Sequence, residues 1–314
     1  MNTFQLPSIE QPAPSKFLED KGIRLFIKRD DLIHDEVSGN KWRKLKWNID
    51  NALQSGRDTI LTFGGAHSNH IAASAAAAKL HKLKSIGIVR GEEVDLENPT
   101  LKKAAENGMK IHRVSRAEFR EIEDRNYIES LRHRFGPFYL IPQGGQNHYG
   151  VQGCAEIMSE LEQSYHRIFV ACGTATTLSG LAIANKIGAE IYGVSALKGG
   201  DFLIETVQAY AKKTFNDEET EADIMSKVHL LTDSHFGGYA KIKPELIEFM
   251  RNFTNETGVK LEPVYTAKAA FAMLELAKMI ELSQKENWLL IHSGGMQGIP
   301  AMEEREGLRI YSNC

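Results

Sequence analysis

Cysteine is scarce in this sequence of 314 residues, which contains only Cys154, Cys172 and Cys314. The three are widely spaced and odd in number, a pattern that excludes both a disulfide framework and a zinc knuckle. Sparse, unpaired cysteines are typical of proteins of the reducing cytosol. We therefore expect a cytoplasmic protein.

The sequence also lacks long apolar runs and a dominant charge. No stretch approaches the ~18 apolar residues of a membrane span, and the N-terminal residues do not combine positive charge with an apolar run as a signal peptide does. The net charge is −3 without a basic stripe, so neither nucleic acid nor an anionic membrane is an expected partner. Hydrophobic residues make up 42% of the chain, which predicts a soluble globular protein of one large or two smaller domains.

Short apolar runs alternate with amphipathic segments along the chain. The predicted strands are Asp58–Phe63, Ser85–Val89, Lys110–Val114, Phe138–Pro142, Arg167–Ala171, Glu190–Val194 and Trp288–His292. The predicted helices are Lys41–Ser55, Asn69–His81, Pro99–Asn107, Val151–Gln163, Thr177–Lys186, Lys243–Thr257 and Ala267–Leu282. This alternation predicts an α/β protein with a parallel sheet. Residues 213–236 are polar and charge-rich, and we interpret them as a solvated helix face rather than an excursion between core elements.

One lysine follows a turn in the segment Ser38-Gly39-Asn40-Lys41. Lys41 stands at the start of a predicted helix, where the partial positive charge of the helix N-terminus, together with Arg43 and Lys44, favours a neutral amine. A neutral amine is what Schiff-base chemistry requires. The alternative is that Lys41 and Lys44 are ordinary solvated lysines, so this motif is not specific by itself.

A second turn, Gly64-Gly65-Ala66-His67-Ser68-Asn69-His70, follows a predicted strand and opens an alanine-rich helix. Ligands of open α/β sheets bind beyond the carboxyl ends of strands, so Ser68 and Asn69 are candidates for contacting an anionic ligand. The alternative is that one of them only caps the helix. His67 and His70 are three residues apart with no evident third ligand, so we expect no metal.

A third turn, between the strand at Arg167 and the next helix, contains Gly173 and the run Thr174-Ala175-Thr176-Thr177. Hydroxyl groups and backbone amides at a helix start favour a phosphate-binding site. The turn is neither a Walker loop nor a dinucleotide-binding Gly-x-Gly-x-x-Gly motif. The alternative is a tight helix start that simply requires small residues.

Three further side chains stand in glycine-rich or turn contexts: Tyr239, Tyr265 and Ser293. A tyrosine can donate or accept a proton in catalysis, although most tyrosines belong to the core or to its rim. Ser293 ends the last predicted strand, where it faces a ligand or belongs to an ordinary loop. All three are therefore candidates, and none is decisive alone.

Taken in order, these motifs resemble the 1-aminocyclopropane-1-carboxylate (ACC) deaminase and D-cysteine desulfhydrase family of pyridoxal 5′-phosphate (PLP) enzymes. The shared features are Gly-Asn-Lys-x-Arg-Lys, Gly-Gly-x-x-Ser-Asn, the threonine-rich turn, Pro-Val-Tyr and a late Gly-Gly, between about Leu6 and Gly298. The resemblance implies a tryptophan-synthase-β-like fold (fold type II) of two three-layer α/β/α domains, and a homodimer.

The glycine pairs Gly64-Gly65 and Gly144-Gly145 bracket three predicted strand–helix units, which indicates an inserted unit. With the resemblance, this predicts a smaller α/β domain over residues 51–145. Residues 1–50 and 146–314 would form the large PLP-binding domain.

The resemblance also implies a role for each motif residue. Lys41 is similar to the Schiff-base lysine, Asn69 to the residue that contacts the cofactor's ring hydroxyl, and Ser68 to a substrate-facing hydroxyl. Tyr239 and Tyr265 resemble the two active-site tyrosines. The residues that resemble the phosphate-binding set are Thr174, Ala175, Thr176, Thr177 and Lys44.

The sequence departs from the ACC deaminases at informative positions. Thr266 stands where they have Glu after the Pro-Val-Tyr tyrosine, and Ser293 stands where they have Leu. Hydroxyls there resemble the desulfhydrase branch, because a hydroxyl near the pyridine nitrogen favours a neutral ring that suffices for a good leaving group such as thiolate. His67 and His70 stand where the deaminases carry Gln near the Ser-Asn pair, and Ala175 replaces a Gly.

The predicted reaction is therefore PLP-dependent β-elimination from a small amino-acid substrate. D-cysteine is the first candidate, giving pyruvate, ammonia and sulfide. The alternative is ACC deamination to 2-oxobutanoate and ammonia, and a third is a non-catalytic PLP- or metabolite-binding protein. The Cα base is either Lys41 or a tyrosine, and the substrate stereochemistry stays open because it depends on which face of the cofactor that base occupies.

Overall fold

The computed structural model describes residues 4–311, which form ten strands and twelve α-helices. The strands are β1 Glu10–Pro12, β2 Ile23–Lys28, β3 Thr59–Gly64, β4 Lys84–Arg90, β5 Met109–Val114, β6 Tyr139–Ile141, β7 Arg167–Cys172, β8 Glu190–Ser195, β9 Val228–Leu231 and β10 Glu286–Ile291. The helices are α1 Lys16–Asp20, α2 Asn40–Gln54, α3 Asn69–Leu80, α4 Pro99–Glu106, α5 Arg125–Phe135, α6 His148–Ser159, α7 Thr176–Ile183, α8 Leu203–Phe215, α9 Glu218–Ser226, α10 Pro244–Thr257, α11 Thr266–Met279 and α12 Ile299–Glu306.

The strands form two sheets. The larger has the order β1-β2-β10-β7-β8-β9, and the smaller has the order β5-β4-β3-β6. Only the β1–β2 pairing is antiparallel among the described strands, which confirms the predicted α/β class with parallel sheet. The smaller sheet uses chain between residues 59 and 141 alone, and the larger uses chain on both sides of that stretch. The domain boundaries themselves stay a prediction.

All seven predicted strands and all seven predicted helices correspond to elements of the structure, with shifted ends. The prediction missed the strands β1, β2 and β9 and the helices α1, α5, α8, α9 and α12. β2 was missed because Arg24 and Lys28 interrupt its apolar run. Lys28 is nevertheless fully buried, since its ammonium donates to the carbonyl of Ser8 at 2.7 Å and lies 3.5 Å from Glu10.

The polar stretch 213–236 contains the helix α9, none of whose residues is buried. This confirms the solvated helix face for Glu218–Ser226, although no helix bounds had been predicted there, and not for the rest of the stretch. The edge strand β9 follows it and pairs with β8. It was missed because it is only four residues long and its last three residues are partly exposed.

Three strands of the two sheets end where the candidate residues begin. β3 leads into the turn before α3, β7 leads into the threonine-rich turn before α7, and β10 leads into Ser293. The packing is close on this side of the molecule: a Cβ on Gly153 of α6 would lie 1.9 Å from the carbonyl oxygen of Arg43 on α2. Only glycine fits there, so α2 is held tightly against α6.

A buried ionic cluster supports the start of α2 from behind. The Arg43 guanidinium is fully buried and donates to Asp30 at 2.9 Å and to Glu160 at 2.7 Å. Burial opposes the charge of Arg43, but these two carboxylates raise its pKa above the ordinary value. The charge of Arg43 is therefore compensated by Asp30 and Glu160 within this cluster.

Candidate active site

Two adjoining cavities open beyond the carboxyl ends of the strands. The inner cavity measures about 360 Å³ and the outer cavity about 600 Å³. The residues common to both walls are Gly65, Ser68, Asn69, Arg90, Tyr239, Tyr265 and Gly295. The inner wall brings together nearly all of the predicted site residues: Lys41, Lys44, Ser68, Asn69, Thr174, Ala175, Thr176, Thr177, Tyr239, Tyr265 and Ser293.

Lys41 is the second residue of α2 and extends into the inner cavity. Its amine donates to the Asn40 side-chain oxygen at 2.6 Å and lies 6.0 Å from the centre of the Tyr265 ring. Enclosure by the protein, then the charge of Lys44, lowers the pKa of Lys41 to about 7, although Glu262 partly opposes the shift. The lowered pKa favours the neutral amine of Lys41 near neutral pH, as its predicted role requires. Lys44 contributes to this shift as predicted, whereas the contribution predicted for Arg43 was wrong because Asp30 and Glu160 neutralise its charge.

The turn before Lys41 depends on Gly39. Its φ of +65° belongs to the region that favours glycine, and an added Cβ would lie 2.0 Å from the carbonyl oxygen of Ser293. The amide of Asn40 donates to that same carbonyl at 3.2 Å. The start of α2 is therefore joined to the end of β10, and Lys41 and Ser293 reach the same cavity.

The threonine-rich turn forms a set of donors around one end of the inner cavity. The Thr174 and Thr176 hydroxyls lie 2.9 Å apart, and the Lys44 ammonium donates to the Thr174 hydroxyl at 3.4 Å. Ala175 has a left-handed backbone, with φ +53° and ψ −1°, and no side chain caps the N-terminus of α7. The first amides of α7 are therefore available to an anion, and the backbone conformation of Ala175 is the one that a Gly would adopt without strain.

Ser68 and Asn69 lie at the start of α3, on the wall common to both cavities. The Ser68 hydroxyl accepts a hydrogen bond from the Ile71 amide at 3.3 Å, so it caps the helix as the alternative reading allowed, and it still lines the cavity. The Asn69 side-chain oxygen accepts from Gln297 at 3.2 Å. Their roles toward substrate and ring hydroxyl stay predictions.

Tyr239 and Tyr265 stand against each other where the cavities meet. Their ring centres are 6.1 Å apart at an interplanar angle of 64°. Partial enclosure raises the pKa of Tyr239, and burial raises that of Tyr265 well above the ordinary value. Both phenols are therefore protonated at neutral pH, where they can donate hydrogen bonds and are poor bases.

Glu262 is a site residue that sequence reasoning missed. Its carboxylate is almost fully buried and accepts from the amides of Val264, Tyr265 and Thr266, at 2.8, 2.5 and 2.7 Å. It thereby caps the N-terminus of α11 and fixes the backbone of Tyr265. An acidic residue just before Pro263 and a helix start was the available signal.

Thr266 does not line either cavity within the described part of the chain. It is fully buried, and its hydroxyl accepts from the Glu262 amide at 3.1 Å and lies 3.4 Å from the Glu262 carboxylate. Ser293 does line the inner cavity. Of the two hydroxyls predicted near the cofactor's ring, the structure thus brings only Ser293 to the cavity wall.

Two further buried groups lie beside the site; Lys268 was missed, whereas the sequence had indicated His70 only as a residue near the Ser68-Asn69 pair. Lys268 is fully buried on α11 and donates to the carbonyls of His235 and Gly238, each at 2.8 Å, which holds the loop that carries Tyr239. His70 lines the inner cavity, with Nε2 2.9 Å from the Thr62 hydroxyl. Burial, then the charges of Lys41 and Lys44, lowers the pKa of His70 to about 3, so its ring is neutral.

The inner cavity suits a phosphate-bearing ring such as PLP. Lys44, the two threonine hydroxyls and the free amides of α7 supply donors for a phosphate. Among residues 4–311, Nδ1 of His70 is a buried polar atom without a hydrogen-bond partner, and a polar ligand in the cavity would satisfy it. The volume also falls within the ~300–1,000 Å³ that is usual for cofactor sites.

Comparison with known proteins agrees with this geometry. Residues 5–294 match the model of the family described as pyridoxal-phosphate dependent enzyme. A putative 1-aminocyclopropane-1-carboxylate deaminase of Pyrococcus abyssi is 32% identical over 289 residues, which cover 88% of this chain and 86% of the relative. The mitochondrial bifunctional D-cysteine desulfhydrase/1-aminocyclopropane-1-carboxylate deaminase of Arabidopsis thaliana is 30% identical over 323 residues, covering 95% of this chain and 79% of the relative.

Solved structures share the fold. The crystal structure of an ACC deaminase homologue superposes with a TM-score of 0.78 at 28% identity, covering 95% of this chain and 92% of the other. Threonine deaminase isoform 2 of Solanum lycopersicum has a TM-score of 0.67 at 18% identity, covering 97% and 84%. These likenesses confirm the predicted fold type II. The chain therefore belongs to the pyridoxal-phosphate-dependent enzymes, in the family of the ACC deaminases and D-cysteine desulfhydrases.

Proposed function

We propose that this PLP-dependent enzyme catalyses β-elimination from a small amino acid, with D-cysteine as the first substrate and pyruvate, ammonia and sulfide as products. The observation that carries the proposal is the placement of Lys41. Its amine has a pKa of about 7 and shares the inner cavity with the donors around Thr174. When bound, PLP supplies an electron sink that stabilises the charge left on the substrate's Cα.

Lys41 is the base in this proposal. Once the substrate amine has displaced it from the cofactor, a group with a pKa of about 7 can accept the Cα proton at neutral pH. Tyr239 and Tyr265 have raised pKa values, so they act as hydrogen-bond donors and walls rather than bases. Ser68 and Asn69 would hold the substrate carboxylate and the ring hydroxyl at the wall common to both cavities.

Two features favour desulfhydration over ACC deamination. Ser293, at the inner cavity wall, is a hydroxyl rather than a carboxylate, and the carboxylate of the nearby Glu262 is committed to three backbone amides. Without a carboxylate at the pyridine nitrogen, the ring suits a substrate with a good leaving group better than an unactivated cyclopropane. ACC is the second candidate because curated relatives are named for both activities or for ACC deamination.

The test is keto-acid release by the PLP-loaded protein from D-cysteine, L-cysteine and ACC. We expect turnover of D-cysteine, with sulfide formed in equal amount to pyruvate. Lys41→Ala should abolish both turnover and the visible absorbance of lysine-bound PLP. Lys46→Ala is the matched control on the same helix, since Lys46 pairs with Glu156 outside the cavities.

Each result separates the candidates. Release of 2-oxobutanoate from ACC without sulfide from D-cysteine would favour the deaminase. A PLP-loaded protein that is inert toward every amino acid tested would favour a non-catalytic binding role. Full activity of Lys41→Ala would refute the role proposed for Lys41.

A homodimer and a cytoplasmic location complete the proposal, and both rest on the family likeness and on composition. Among the described residues, no helix is both long and apolar enough to cross a membrane. Sedimentation analysis of the PLP-loaded protein tests the dimer, which a monomer at micromolar concentration would contradict.

A further inference from the structure

The outer cavity is too large for the substrates proposed so far. At about 600 Å³ it exceeds the inner cavity that would hold the cofactor, whereas cysteine and ACC each have only seven non-hydrogen atoms. The two cavities share the wall formed by Ser68, Asn69, Tyr239 and Tyr265. A group attached to a substrate at the cofactor would therefore extend into the outer cavity.

The outer wall is rich in guanidinium groups. Arg90 is the last residue of β4, Arg116 and Arg120 lie in the segment after β5, and Arg305 lies on α12. The outer cavity thus gathers four arginines from three separate parts of the chain. Their field reaches the shared wall, because the charges of Arg90 and Arg305 both lower the pKa of Tyr239 against the larger effect of its enclosure.

The carboxylates on this wall compensate only part of that positive charge. The only two on the described lining are those of Glu93 and Glu262. Glu93 pairs with Arg116 at 2.6 Å, and Glu262 accepts from three backbone amides.

Arg305 is occupied differently, since it donates to the Ala240 carbonyl at 2.6 Å and to Glu306 at 2.8 Å. Arg90 stacks on Phe119, with 5.7 Å between guanidinium carbon and ring centre, and within residues 4–311 it forms no ion pair with a carboxylate. Arg120 has no ion pair among the described residues. Two guanidinium groups therefore remain available to a ligand.

From this arrangement we propose that the outer cavity recognises a second anionic group on the substrate, so that the enzyme accepts small amino acids whose side chain ends in a carboxylate or phosphate. Arg90 and Arg120 are the specificity-determining residues. Guanidinium groups match the oxygen geometry of both anions. The inference rests on the proposed function only in placing the amino-acid end of the ligand at the cofactor.

Calorimetric titration of the PLP-loaded protein tests the inference without relying on turnover. The anionic probes are D- and L-aspartate and O-phospho-D- and O-phospho-L-serine, and the neutral counterparts are asparagine and serine of matching configuration. We expect at least one anionic probe to bind about tenfold or more tightly than its neutral counterpart, as charged hydrogen bonds allow. Added salt should lower this ratio of anionic to neutral affinity, because it screens the charges.

Variants assign the effect to residues. Arg90→Gln and Arg120→Gln should each reduce the anionic-to-neutral affinity ratio about tenfold or more, as loss of a charged hydrogen bond predicts. Arg57→Gln, an exposed arginine outside both cavities, is the matched control and should leave the ratio unchanged.

Equal affinity for anionic and neutral probes would overturn the inference, as would a ratio that survives both substitutions. Its failure differs from failure of the proposed function. Pyruvate release from D-cysteine without any anionic preference defeats the inference alone. An arginine-dependent preference in a protein that releases no keto acid defeats the proposed function alone.

Discussion

At the residue scale, the chemistry depends on one amine, that of Lys41, which the protein encloses. Enclosure is the largest cause of the lowered pKa of Lys41, and Lys44 adds to it. Arg43, only two positions away, does not contribute because Asp30 and Glu160 surround it. Neighbouring positions on one helix face in different directions, so Lys44 acts on the amine of Lys41 whereas Arg43 does not.

The pH dependence of Lys41 reactivity follows from its pKa of about 7. A lysine reacts as the neutral amine, so acylation of Lys41 in the PLP-free protein should rise as pH increases through 7 and level off about one to two pH units above it. Peptide mass spectrometry after brief treatment with acetic anhydride measures the rate at each pH. A rate that still climbs steeply above pH 9 would contradict the lowered pKa.

The substitution Lys44→Met tests the cause of the lowered Lys41 pKa in the same acylation experiment. Removing the Lys44 charge deletes the second-largest cause of the shift, so the midpoint of the Lys41 profile should move to higher pH. An unchanged midpoint would mean that enclosure alone sets the pKa.

At the element scale, α11 organises both tyrosines. Glu262 caps the N-terminus of α11 and fixes the backbone of Tyr265. Lys268, the third residue of α11, donates to the carbonyls of His235 and Gly238 in the loop that leads to Tyr239. That loop has φ values of +100° and +118° at Gly237 and Gly238, a path that other residues rarely adopt. One helix thus positions two side chains from different parts of the chain.

Lys268→Met should therefore loosen the Tyr239 loop. The substitution removes the charged donor from two carbonyls that keep only the backbone amides of Gly238 and Lys241 as donors, which should lower the free energy of unfolding by about 1–3 kcal/mol. The turnover number should fall by more than the affinity for PLP does, because the donors proposed for the phosphate lie on α2 and at the start of α7, which Lys268 does not hold. Urea unfolding, steady-state kinetics and PLP titration measure the three quantities.

Lys278→Met is the control on the same helix. Lys278 is exposed and pairs with Glu275 in an i,i+3 arrangement, so its loss should cost less than about 1 kcal/mol and leave turnover unchanged. Equal effects of the two substitutions would show that Lys268 has no special positioning role.

At the scale of the whole molecule, the buried ionic cluster joins segments far apart in sequence. Arg43 on α2, Asp30 after β2 and Glu160 after α6 meet where the larger sheet packs against its helices. Hydrogen bonding and charge from Arg43 lower the pKa of Glu160 despite its partial burial, which alone would raise it. This carboxylate therefore contributes stability above its ordinary pKa that is lost as pH falls through its lowered folded-state pKa.

Arg43→Met should destabilise the fold strongly, because it leaves the fully buried Asp30 without its counter-charge. Loss of one partner of a buried ion pair costs about 3–5 kcal/mol. Urea unfolding at neutral pH measures the change, with the exposed Arg57→Met as the control that should stay close to the parent protein. A loss below about 1 kcal/mol would show that the cluster adds nothing beyond a surface pair.

The sequence by itself determined the class of the protein and the position of its cofactor motifs. Strand–helix alternation predicts the parallel sheets, and motifs at strand ends predict the cavity, because parallel strands place their carboxyl ends on one edge. These features can be predicted locally because backbone φ preferences, side-chain periodicity and helix-capping residues depend on short stretches of sequence.

Only the tertiary structure decided which side chains reach that cavity and which are committed elsewhere. In the structure, Arg43 and Thr266 are buried and do not line the cavity. Glu262 caps the N-terminus of α11. The tertiary structure also brought Arg90 and Arg305, more than 200 positions apart, to one wall. The physical reason is that side-chain direction and charge compensation depend on packing between distant segments, which no local pattern encodes.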